Sequence, residues 1–147
     1  MIKREDMSAV IVNWQQPDSD PRLWNVSRGL YAYLNLNKDE ENEILYIGKV
    51  DGTTIRQRWC RSGKKGFWDA LENERQIYTH SIIVGLFELP AGQRLSRELV
   101  TDVESLLINR LCPWGNIQCR NSRISRPGLK VYCKGDWPLQ RNVFVDG

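Results

Sequence analysis

Residues 80–89, HSIIVGLFEL, restrict the fold more than any other stretch of the chain, because they are nearly continuous in apolar side chains. The run is too short to span a bilayer and is β-branched in part, which predicts a buried central strand. At 147 residues the chain has room for one domain with one core. Its 41% hydrophobic and 27% charged residues sit near globular averages, so most of it is expected to fold.

The partners of that strand are sought in the same way. Residues 30–36 and 43–50 are rich in aromatic and branched residues around a polar middle, 37–42, and predict an antiparallel hairpin. Thr53 or Thr54 is placed to cap a helix running to about Arg61, before Ser62-Gly63. Phe67, Trp68 and Leu71 recur at helical spacing and predict a second helix to about Arg75. A third is expected over 95–111, with Ser96 as N-cap, Leu99, Val103, Leu106 and Leu107 on its apolar face, and Pro113 ending it. Val10-Ile11-Val12 suggests a short strand before the loop signal Pro17 to Pro21, and residues 129–132 suggest one more. The expectation is an α+β domain: a small antiparallel or mixed three-stranded central sheet flanked by helices over 28–117. Residues 1–27 form an N-terminal extension, and 118–147 a basic C-terminal extension packed on the core.

A net charge of +3 permits a polyanion partner without demanding one. Distribution says more: no acid occurs between Glu104 and Asp136, while Arg110, Arg120, Arg123, Arg126, Lys130 and Lys134 do. The cysteines, Cys60, Cys112, Cys119 and Cys133, show no C-x-x-C spacing and are read as reduced packing thiols. With no apolar leader and no run of spanning length, a cytoplasmic protein without a membrane partner is expected.

Each arm of the hairpin carries a glycine and a tyrosine in mirrored order, Gly29-Leu30-Tyr31 and Tyr46-Ile47-Gly48. Taken alone, such pairs describe a well-packed hairpin in which glycine marks a bulge or a close backbone approach. Further elements follow in order: Ile55-Arg56-Gln57-Arg58, then Glu104, Leu106-Leu107-Ile108, Leu111, Pro113 and Asn116. In this order and spacing the chain resembles the GIY-YIG nuclease superfamily over about residues 28–117, with leucine in place of the usual isoleucine of the first tripeptide. Some branches of that family carry a histidine or second tyrosine one turn after the arginine; here Arg61 or Ser62 holds that place, which points to the tyrosines as the base. The single histidine, His80, opens the apolar strand and reads as structural.

The resemblance implies a metal-dependent endonuclease that hydrolyses DNA phosphodiester bonds. Glu104 would be the ligand of Mg²⁺ or Mn²⁺, since magnesium keeps several waters and takes few protein ligands. Tyr31 or Tyr46 would orient or deprotonate the attacking water, helped by Arg58, Lys49 and Arg56 as cations that lower a phenol's pKa. Arg58 would also bear on the scissile phosphate, and Asn116 would be the orienting residue after the proline. Gly29 and Gly48 are structural positions of the motif. Arg56, Arg61, Arg120, Arg123, Arg126 and Lys130 are the proposed DNA-backbone contacts, interleaved with Tyr132 and Trp137, whereas Trp14 and Trp24 are read as core cover. Two other readings stand beside this one: an inactive nucleic-acid-binding module with the same fold, and a restriction-type enzyme acting as a dimer.

Overall fold

The computed structural model describes residues 9–35, 43–59, 65–77, 80–116 and 128–146. The expected three-stranded sheet with terminal extensions is not what forms. Among the described residues, six strands make one mixed sheet in the order β3-β2-β4-β1-β5-β6, accompanied by three α-helices. The strands are β1 (Ala9–Gln15), β2 (Arg28–Asn35), β3 (Glu43–Asp51), β4 (His80–Glu88), β5 (Lys130–Gly135) and β6 (Val143–Val145). The helices are α1 (Ile55–Trp59), α2 (Lys65–Arg75) and α3 (Arg97–Leu111), with one 3-10 turn over Pro21–Asn25.

The physical reason for the correction lies in β1. Its alternate side chains Val10, Val12 and Trp14 are 5%, 0% and 0% exposed, so this segment is core. It lies between β4, which it meets antiparallel, and β5, which it meets parallel. The terminal segments are thus integral to the sheet. As expected, β4 is buried and internal, pairing with β2 on one side and β1 on the other.

Two apolar layers hold the sheet. On one face Val12, Trp14, Leu30, Val131 and Phe144 pack with Leu99, Val103, Leu106 and Leu107 of α3. On the other, Tyr31, Tyr33 and Val84 pack with Leu23 of the 3-10 turn, Ile55 of α1 and Leu71 of α2. Local signals set the helix ends. Thr54 and Gln57 bond reciprocally, the Gln57 amide N donating to Thr54 Oγ1 at 3.2 Å and the Thr54 amide N to Gln57 Oε1 at 2.8 Å. Ser96 Oγ accepts from the Leu99 amide at 3.1 Å, and α3 closes on Cys112 in the left-handed region just before Pro113. No helix among the described residues is long and apolar enough to cross a membrane.

Candidate active site

The hairpin register assembles the phenols. Tyr31 stands opposite Gly48, and Tyr33 opposite Tyr46, so all four share one face of the sheet. A register shift after Tyr33 leaves Leu45 as an extra residue on β3. The two motif glycines have different causes. A Cβ on Gly48 would lie 2.5 Å from the Tyr31 phenol oxygen, so only glycine lets that ring cross β3. A Cβ on Gly29 would lie 2.9 Å from the carbonyl oxygen of Gly85, so this glycine admits the backbone of β4.

The tyrosine rings form a compact triangle, with centroids 5.4 Å apart for Tyr31 and Tyr33, 5.5 Å for Tyr33 and Tyr46, and 6.0 Å for Tyr31 and Tyr46. Tyr31 and Tyr33 are 1% and 0% exposed, whereas Tyr46 keeps partial solvent access. Burial pushes the Tyr31 phenol far above its ordinary range, and its neighbours Tyr33 and Tyr46 add to the shift against the pull of Arg58. Burial raises Tyr46 as well, and Glu104 adds to that, but the hydrogen bond from Tyr31 and the charge of Arg58 both favour its ionised form. Tyr31 is therefore the donor that stays protonated. Tyr46 is raised less one-sidedly and is the phenol of the three with partial solvent access.

Arg58, on α1, faces this triangle. Its charge bears on Tyr31, Tyr33, Tyr46 and Glu104 together. Its Nε is buried with no hydrogen-bond partner among the described residues. An unsatisfied buried donor costs about 1–3 kcal/mol, more when charged, and an oxyanion is the group that would satisfy it.

Glu104 enters from α3. One turn earlier on that helix, Thr101 Oγ1 accepts from Lys49 Nζ at 2.8 Å, which fixes the lysine between β3 and the helix. Burial lifts the Glu104 carboxyl above its usual range, against the opposing charges of Lys49 and Arg58. It makes no hydrogen bond or ion pair among the described residues. A half-buried carboxylate without a hydrogen-bond partner is suited to a cation. No group of three His, Cys, Asp or Glu residues that could hold a metal ion occurs among the described residues, so Glu104 stands there as a lone acid.

Asn116 serves the site through the backbone. Its Oδ1 accepts from the Ile47 amide and its Nδ2 donates to the Ile47 carbonyl, both at 2.9 Å, while the Gly115 amide donates to Leu45 O at 2.7 Å. The segment after Pro113 thus completes the outer edge of β3 and fixes the residues on either side of Tyr46.

The remaining expected residues are dispersed. Arg56 is exposed, with its guanidinium 5.5 Å from the centre of the Trp24 ring. Lys130 is on β5, separated from β2 by β4 and β1. Arg61, Arg120, Arg123 and Arg126 lie outside the described residues. Trp14 is core, as expected, and Trp137 packs on it with ring centroids 5.2 Å apart. His80 stacks on Trp68, centroids 4.2 Å apart. Two residues of the site were not foreseen, Tyr33 and Thr101. The period of two along a strand puts Tyr33 on the Tyr31 face, and a spacing of three on a helix puts Thr101 beside Glu104, so both signals were present. In comparisons with known proteins, no family model matches the chain, and no curated protein or solved structure matches it significantly.

Proposed function

We propose that this protein is a metal-dependent endonuclease of the GIY-YIG kind that hydrolyses DNA phosphodiester bonds. One observation carries the reading: Arg58, with its buried unpartnered Nε, and Glu104, with a carboxylate unbonded among the described residues, both act on Tyr46, the partly exposed phenol of the triangle. A cation donor and a metal-ligating acid converging on a proton acceptor is what hydrolysis of a phosphodiester requires.

In this reading Tyr46 reacts as its phenolate, which the hydrogen bond from Tyr31 stabilises, and becomes the neutral phenol as it takes the proton of the attacking water. Water oxygen bonds to phosphorus as the bond to the leaving oxygen breaks. Arg58 holds the charge on the phosphoryl oxygens. A magnesium or manganese ion held by Glu104 would supply the charge stabilisation for the leaving oxygen. Lys49, tied to Thr101, keeps a positive charge beside Glu104 without competing for its ligand position. Supercoiled plasmid incubated with the protein in Mg²⁺, in Mn²⁺ and in EDTA tests the proposal. Nicked or linear DNA confined to the metal lanes is expected, and intact plasmid in all three lanes counts against it.

A further inference from the structure

The face of the sheet that carries Tyr31 is covered by α1, α2 and the 3-10 turn only over β2, β3 and part of β4. Beyond β4 no described helix or turn covers it. Ile11, Tyr132, Val143 and Val145 stand there 36%, 41%, 40% and 46% exposed, although their strand neighbours Val10, Val12, Val131, Cys133 and Phe144 are at most 5% exposed on the opposite face. Register aligns them: Ile11 opposes Tyr132, and Tyr132 opposes Val143, with Val145 opposite Lys130. The two-residue period of a strand puts Lys130 and Lys134 on this face as well, one on each side of Tyr132. Lys130 is exposed and makes no ion pair among the described residues, whereas Lys134 bonds Glu88 at 2.8 Å at the rim.

We infer that this face binds an unpaired DNA strand, with a base stacked on Tyr132 and a backbone phosphate held by Lys130. The inference takes its partner from the nuclease reading and adds to it the class of substrate, DNA with a single-stranded portion. Three features select this occupant. An exposed aromatic next to Lys130, a lysine on the same sheet face without an ion pair among the described residues, offers ring and cation at alternating positions, which matches the base and phosphate of a single strand. A duplex hides its base faces and would leave the ring unused. The cores of protein interfaces are depleted in lysine, which argues against a protein partner centred here. The face is also continuous with the tyrosine site: β5 is three strands from β2, roughly 14 Å at the usual spacing of about 4.8 Å.

The test is fluorescence anisotropy in EDTA, where no cleavage occurs, with the full chain and a labelled 20-nucleotide single strand or its duplex as probe. Wild type is expected to bind the single strand more tightly than the duplex. Tyr132→Ala should weaken single-strand binding roughly 5- to 100-fold while changing duplex binding little, and Tyr132→Phe should restore it. Lys130→Glu should weaken binding and flatten its salt dependence. Equal single-strand affinity in wild type, Tyr132→Ala and Lys130→Glu overturns the inference, even if plasmid is cleaved. A wild-type dimer that becomes monomeric in Tyr132→Ala, with DNA binding unchanged, also overturns it by assigning the face to a second copy. Loss of binding in Tyr132→Ala, without cleavage by wild type, leaves the inference standing and removes the nuclease.

Discussion

Tyr31 can lie across β3 only because Gly48, opposite it in the ladder, has no side chain: a Cβ there would sit 2.5 Å from the phenol oxygen. Gly48→Ala is expected to displace the ring and to cost about 1–3 kcal/mol, the usual penalty of overpacking. Urea denaturation measures the loss. A variant as stable as wild type, with unchanged cleavage, would show that the ring has room elsewhere.

The two phenols are expected to respond differently. Tyr46→Phe removes the proton acceptor and should lower the cleavage rate by roughly 10²- to 10⁴-fold. Tyr31→Phe removes a donor that favours ionised Tyr46, so the rising limb of the rate profile should move to higher pH. Rate profiles of the three proteins check this, and an unshifted limb in Tyr31→Phe would break the assigned roles.

Glu104 links stability to pH with a definite sign. Its carboxyl is raised in the folded protein from an ordinary 4.5, so the folded state holds the proton more tightly than the unfolded state does. Its contribution is most favourable below that value and is lost as pH rises through the folded one. Without metal, Glu104→Gln should therefore be more stable than wild type at neutral pH, with the difference closing below about pH 4.5. Denaturation midpoints across that range, in EDTA, give the answer; a less stable Gln variant at neutral pH would contradict the burial of this acid.

Asn116 holds Ile47 by both backbone groups. Asn116→Ala should cost about 1–3 kcal/mol and loosen β3 beside Tyr46. Amide hydrogen exchange at Ile47 reads it directly, and unchanged protection there would remove Asn116 from the positioning of the site.

Much of this arrangement was legible in the sequence because its determinants are local. The cap of α3 at Ser96, its end before Pro113 and the buried run of β4 each depend on residues within a few positions of one another. The width of the sheet was not legible. β1 pairs with β4 through Ile11 and Glu88, and with β5 through Ile11 and Tyr132, contacts that close long loops and leave no spacing signal in a seven-residue strand. β6 has three residues, too few for any period to show. In the site, residue types and order pointed to Tyr31, Tyr46, Arg58 and Glu104. Which phenol keeps its proton depends on burial and on the bond between them, and neither is written in spacing.

The convergence of Tyr46, Arg58 and Glu104 is tested most directly by the rate of plasmid nicking in Mg²⁺, measured for wild type and Glu104→Gln prepared in parallel. Nicking by wild type and background levels for a folded Gln variant are expected. Equal nicking by the two proteins would contradict that convergence, because the one carboxylate assigned to the metal would then be dispensable.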